Sequence, residues 1–152
     1  MRTLTQALSH YAREQDQFGT ITFIHSASDQ ESVSFAELQH AALRMLAGFQ
    51  AKGLQAQDEV VLYSENNLSF LIAFWACLYG AMLPVPVAAG LHREHQKKLF
   101  TILAQLNNPY VFSDENMFAQ LRLFAAENNE RFDFTARCLM EKDALDYPGE
   151  MH

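Results

Sequence analysis

Apolar positions recur along this chain with two different periods, and the changes of period divide it into elements. Leu4, Ala7, Leu8, Tyr11 and Ala12 share one face at i, i+3, i+4 spacing, which predicts an amphipathic helix over residues 3–16. In "GTITFIHS" the period drops to two: Ile21, Phe23 and His25 alternate with Thr20, Thr22 and Ile24, as in a strand. The polar "ASDQES" predicts a turn and "SVSF" a short second strand, which together complete a hairpin. Ser34 then opens an S-x-x-E capping box with Glu37, in which the hydroxyl and the carboxylate can satisfy orphan amides reciprocally. The helical period resumes through Leu38, Ala41, Ala42, Met45, Leu46 and Phe49 and stops at Gly53, a residue free to adopt the left-handed conformation that ends helices.

Beyond Gly53 the runs become continuously apolar. "DEVVLYS" carries Val60, Val61, Leu62 and Tyr63 in succession, the mark of a strand buried on both faces in a parallel sheet. "NNLSFLIAFWACLYG" has no polar face between Phe70 and Tyr79, so a helix there must be buried nearly all round. In "AMLPVPV", Pro84 and Pro86 stand two apart, so their missing donors face the same way and the segment is extended at a sheet edge or end. Residues 92–106 predict a further helix with Leu99, Ile102, Leu103 and Leu106 inward. "PYVFSD" predicts a strand, and residues 115–127 a helix using Met117, Leu121 and Phe124. From 128 to 152 the chain turns polar, with weak helical character around Ala136–Met140.

The order helix, hairpin, helix, then alternating strands and helices predicts an α/β fold. We expect a mainly parallel sheet with helices on both faces, preceded by an N-terminal helix and a short hairpin. Residues 1–127 form the expected subdomain and 128–152 a polar connection. No charge interrupts Leu68 to Leu91, a run long enough to cross a bilayer, but Gly80, Pro84 and Pro86 cut it into pieces too short to span.

Composition narrows the function classes. With 49% hydrophobic residues and twelve phenylalanines in 152 residues, the chain is globular. Net charge is −7, and residues 114–152, with 4 basic and 9 acidic groups, supply −5 of it. No basic stripe exists to meet a phosphate backbone, so nucleic acid is excluded as a partner. Cys77 and Cys138 show no C-x-x-C spacing, which suits a reducing, cytoplasmic setting, and the N-terminus lacks a signal-peptide core.

Candidate chemistry is sparse. The six glycines include no G-x-G-x-x-G and no G-x-x-x-x-G-K-S/T, so self-sufficient phosphate binding is disfavoured. His92 and His95 could offer two metal ligands, one short of the three that an open site needs, and a solvated helix start is the simpler expectation. Cys77 sits among Trp75, Leu78 and Tyr79 with no cation to activate it, and His25 is expected to be structural. Phe70, Phe74 and Trp75 could line an acyl pocket, although core packing explains them as well. No catalytic, cofactor-binding or metal-binding residue is therefore assigned.

The blocks from "SVSFAELQHAALRMLAGFQAKGLQAQDEV" to "NNLSFLIAFWACLYGAMLPVPV" resemble the opening of acyl-adenylate-forming enzymes. That superfamily includes acyl-CoA synthetases, fatty-acyl-AMP ligases and the adenylation domains of peptide synthetases. Ser34 to Leu38 match the family's A-E-L helix start, Lys52 to Leu54 its helix end, and Gln57 to Val60 its Gly-Asp-x-Val strand entry with the glycine replaced. Asn67, Phe70, Phe74, Gly80, Ala81, Val85 and Pro86 match its buried helix and Val-Pro strand. Cys77 to Tyr79 and "HREHQKKLFTILAQLNNPYVFSD" look most like fatty-acyl-AMP ligases and the related polyketide and peptide synthase loading domains.

The likeness extends over residues 3–127. It implies a parent enzyme that uses ATP and magnesium to activate a carboxylic acid, of the fatty type, for transfer to a thiol on CoA or a carrier protein. The family's Ser/Thr/Gly-rich phosphate loop, adenine and ribose contacts and catalytic lysine have no match in this chain. The resemblance therefore implies an N-terminal fragment, inactive alone, whose partner is the rest of the enzyme. The alternative is a free-standing interaction module with this fold and no chemistry. As an isolated piece of such a parent, the chain is expected to self-associate, because apolar surface that the rest of the parent covers is left exposed.

Overall fold

The computed structural model describes residues 3–13, 20–26 and 29–141; the side chains of residues 20, 25, 26 and 29–31 fall outside that description. Helix α1 (Leu4–Arg13) buries Leu8 and Ala12. Strands β1 (Thr20–Ser26) and β2 (Asp29–Ser34) form an antiparallel hairpin. Asp29 to Ser32, expected in the turn, instead continue β2, because backbone pairing with Ser26, Ile24, Phe23 and Thr22 outweighs their polar character. The box at Ser34 is made as expected: Ser34 Oγ accepts from Glu37 N and Glu37 Oε1 from Ser34 N, both at 3.1 Å. From it runs α2 (Phe35–Ala51), after which Gly53 takes φ +99°.

The rest alternates: β3 (Glu59–Leu62), α3 (Asn67–Tyr79), β4 (Leu83–Pro86), α4 (Arg93–Gln105), β5 (Tyr110–Ser113), α5 (Glu115–Asn128) and β6 (Cys138–Met140). The four-stranded sheet is wholly parallel, in the order β4-β3-β5-β6. The expected fold class is the observed one, with one correction. Residues 138–140, expected to be weakly helical, form an edge strand, because Val111, Phe112 and Ser113 offer them a ladder that local propensity cannot reveal.

Side chains alternate across the sheet and build two cores. Val60, Leu62, Tyr110, Phe112 and Leu139 face α2 and α3, meeting Phe49, Ile72, Ala73 and Ala76. Val61, Tyr63, Val111 and Cys138 face α4 and α5, meeting Leu99, Phe100, Phe118 and Leu121. Helices thus cover both faces. The continuous apolarity of "VVLY" follows directly, since all four side chains are fully buried.

On the α2 side, α1 packs over α2 and α3 rather than on the sheet. A half-buried polar cluster fastens it there: Ser9 Oγ lies 2.8 Å from Tyr79 Oη, and Gln39 Nε2 donates to both at 3.0 and 3.3 Å. Helix α3 is less enclosed than its sequence implied. Ile72, Ala73, Ala76 and Cys77 are buried, whereas Phe70, Leu71, Phe74, Trp75 and Leu78 remain only half-buried. No helix among the described residues is long and apolar enough to cross a membrane.

Strand β4 lies at the edge that its prolines required. Leu83 N donates to Asp58 O at 2.9 Å and Val87 N to Leu62 O at 3.1 Å, so the odd-numbered residues turn their amides toward β3. Pro84 and Pro86 hold the outward positions, where an amide would have no partner in the sheet.

Candidate functional site

In an open parallel sheet, ligands bind beyond the carboxyl ends of neighbouring strands whose connections leave in opposite directions. Here those strands are β3 and β5. The chain leaves β3 through α3 toward β4 on one face and leaves β5 through α5 toward β6 on the other. Tyr63 to Asn66, Ser113, Asp114 and the loop after β4 converge at that point.

Tyr63 organises it. Its ring is fully buried, its hydroxyl donates to Gly90 O at 2.6 Å, and Gly90 N donates back to the hydroxyl at 3.3 Å. Ser113 Oγ donates to Tyr63 O at 2.5 Å, tying the ends of β3 and β5 together. Burial raises the Tyr63 pKa, the Gly90 bond opposes that rise, and the Glu65 charge adds to it. The hydroxyl is therefore neutral at physiological pH and can serve as a donor. Gly90 is required by close approach, since a Cβ there would run into the His95 imidazole. His95 Nδ1 is itself buried without a hydrogen-bond partner.

Of the three helices that start at this end, α3 and α5 are capped by side chains, whereas His92 at the start of α4 makes no side-chain cap bond. Asn66 Oδ1 accepts from Ser69 N at 2.9 Å, and Asp114 Oδ1 from Met117 N at 2.7 Å. Ser64 Oγ makes long contacts of 3.4 Å with Asn66 O and with Glu141 Oε2. The crevice is thus a polar rim in which Tyr63, Ser113, Asn66 and Asp114 are bonded to the protein's own groups, and it can position an adjoining segment.

The residues singled out from the sequence are not brought together. The His92 and His95 rings lie 5.8 Å apart, and no group of three His, Cys, Asp or Glu side chains among the described residues could share a metal ion. Burial pushes the Cys77 thiol up to about 12. Cys138 rises to about 11, again through burial, which the Arg122 and Lys52 charges only partly offset. Neither is an activated nucleophile. His25 lies on β1, its side chain outside the described residues. Phe74 and Trp75 meet edge to face at 6.2 Å on α3, and with Phe70 they are half-buried and packed against the α2–α3 core.

The Tyr63–Gly90–Ser113 cluster was not singled out from the sequence. Its only sequence signal is a tyrosine closing an apolar strand just before the polar "SENN", and its partners are 27 and 50 residues away.

The profile of the AMP-binding enzyme family matches residues 11–121. Luciferin 4-monooxygenase of Photuris pensylvanica is 28% identical over 115 residues, 76% of this chain and 20% of that protein. A putative acyl-CoA synthetase of Caulobacter vibrioides is 33% identical over 86 residues, 57% of this chain and 15% of that protein. Among solved structures, McyG A-PCP complexed with phenylalanyl-adenylate superposes with a TM-score of 0.84 at 24% identity, over 99% of this chain and 24% of that one. The fatty acid AMP ligase from Legionella pneumophila gives 0.71 at 17% identity, over 99% of this chain and 26% of that one. The chain therefore spans about a fifth of the curated relatives' length or less, and about a quarter of the solved chains.

Proposed function

Because the chain belongs to the AMP-binding enzyme family, we propose that it is the N-terminal scaffold of an adenylate-forming ligase. The parent would join a carboxylic acid of the fatty type to AMP, release pyrophosphate from ATP, and pass the acyl group to a thiol on CoA or a carrier protein. The rest of that enzyme is the principal partner. Two buried, unpaired thiols support a reducing, cytoplasmic setting.

The observation that carries this reading is the crevice between β3 and β5. Tyr63 and Ser113 tie the ends of β3 and β5 and the loop after β4 to one another, Asn66 and Asp114 each cap their own helix, and neither thiol among the described residues is activated. Such a frame can fix the position of a neighbouring catalytic segment without taking part in chemistry. ATP and magnesium do not fit the described residues: no glycine-rich turn follows a strand, and no ligand trio for an ion is present. Their grip is assigned to sequence outside this chain, with the catalytic groups.

ATP–pyrophosphate exchange tests the proposal. The purified chain, given fatty acids of several lengths and magnesium, should exchange no more label than a blank. A polypeptide that continues this chain through a Ser/Thr/Gly-rich phosphate loop and its catalytic lysine should exchange. Activity of the 152-residue chain alone would overturn the scaffold assignment.

A further inference from the structure

At the end of the sheet opposite the crevice, the chain forms an open cavity of about 240 Å³. Pro109 and Arg137 line it just before β5 and β6 begin, and Leu106 and Glu130 just after α4 and α5 end. Its whole lining lies among the described residues. Phe100 and Leu103, both buried, and the half-buried Leu106 and Phe132 give it an apolar wall. Four ionised side chains share the lining: Glu130, Arg131 and Asp133, all exposed, and the half-buried Arg137.

Two cations and two anions so close in sequence would ordinarily pair off. Among the described residues none of the four forms an ion pair with another, in contrast to Arg93 and Glu127, which do pair, at 3.5 Å. The guanidinium carbon of Arg137 stands 4.5 Å from the Tyr110 ring centroid. Contact with a ring consumes no N–H, so the donor fork that matches a carboxylate is left for a ligand. Asp133 spends only Oδ1, which accepts from Thr135 N at 3.0 Å and Ala136 N at 2.9 Å, while its carbonyl accepts from Arg137 N at 2.9 Å. The loop is thus held by its backbone, and the second Asp133 oxygen keeps its bonding capacity. Helices α4 and α5 also finish at this end, and the partial negative charge of helix C-termini favours a cation.

A bare carboxylate here would meet two acidic side chains and two helix C-termini, and a bare amine would meet two arginines. A ligand carrying both charges satisfies all four groups. The volume is also below the roughly 300–1,000 Å³ of sites for drug-sized molecules, which limits the ligand to few atoms. We propose that this cavity binds a small zwitterion with an apolar body, a free α-amino acid with an aliphatic side chain. Its carboxylate meets Arg137 and Arg131, its ammonium meets Glu130 and Asp133, and its side chain rests on Phe100, Leu103, Leu106 and Phe132. Because the cavity and the crevice lie at opposite ends of the sheet, this is a ligand site separate from the acid-activating centre proposed for the parent enzyme.

The probe is L-leucine, titrated into the ¹⁵N-labelled 152-residue chain and followed by amide chemical shifts. Saturable shifts should gather at residues 106–108 and 130–137, with a Kd on the order of 1 mM. 4-Methylpentanoate lacks the ammonium, leucinamide the carboxylate and glycine the side chain, and each should bind roughly tenfold more weakly. Glu130→Gln and Arg137→Gln should each weaken leucine binding about fivefold. Because Arg137→Gln uncovers Tyr110 and can disturb the strand, Glu130→Gln, at an exposed position, carries the test independently. Three outcomes would overturn the proposal: no saturable shift up to about 50 mM leucine, 4-methylpentanoate or leucinamide binding as tightly as leucine, or a Glu130→Gln chain that binds leucine unchanged.

Discussion

Replacing Tyr63 with phenylalanine removes one oxygen and leaves the ring in place. That oxygen lies between the carbonyl of Gly90, to which it donates at 2.6 Å, and the amide of Gly90, from which it accepts at 3.3 Å. Gly90 is buried, so water cannot replace the hydroxyl without opening the loop. An unsatisfied buried carbonyl costs roughly 1–3 kcal/mol, and the long amide bond adds less. The expected loss is about 2 kcal/mol, or a fall in Tm of about 4–8 °C for a chain of this length. Trp75 is the only tryptophan, so urea unfolding followed by its fluorescence measures the loss directly. The dependence on urea should keep its slope, because little surface changes. A loss below about 0.5 kcal/mol would mean that packing, not the hydroxyl, holds the loop over the crevice.

Other expectations test the remaining fold. Ser34→Ala removes the hydroxyl half of the capping box, leaving the bond from the backbone N–H of residue 34 to Glu37 in place, and should cost about 1 kcal/mol in the same urea titration, with no change in the hairpin. Gly80→Ala places a Cβ 2.5 Å from Leu46 Cδ1 and 3.2 Å from Met82 Cε, so those side chains must give way, at a cost of about 1–2 kcal/mol. The thiols fix a pH dependence. Both ionise above their ordinary value of 9.0 in the fold, so their contribution is complete below pH 9 and is lost as pH rises toward about 11 for Cys138 and about 12 for Cys77. Thermal midpoints should therefore drop above pH 9, less steeply in Cys77→Ala. At pH 8 a disulfide reagent should label the native chain far more slowly than the unfolded one.

Local chemistry made most of the fold legible. The capping box, the left-handed Gly53 and the alternation of apolar runs each act within a few residues, and each marked an element that the structure contains. The proline pair marked an edge for the same reason, since a missing donor is a property of one residue. What escaped depends on distant partners. β6 is a strand only because β5 lies beside it, and Asp29 to Ser32 are strand only because β1 does. The crevice could not be read at all, because Tyr63 acquires its role from Gly90 and Ser113. The absence of a polar face on α3 pointed to enclosure, but the described residues cover only one side of it, and the aromatic side remains half-exposed.

The prolines of β4 also decide what kind of assembly this sheet can enter. A sheet with two live edges can grow at both ends, copy upon copy, and nothing in its geometry limits the length of the resulting fibre. Pro84 and Pro86 make one end dead, because an added strand would find no N–H there to bond. Two residues that contribute no donor of their own thus guard this edge against added strands, and changing both to valine should raise aggregation detectable by turbidity.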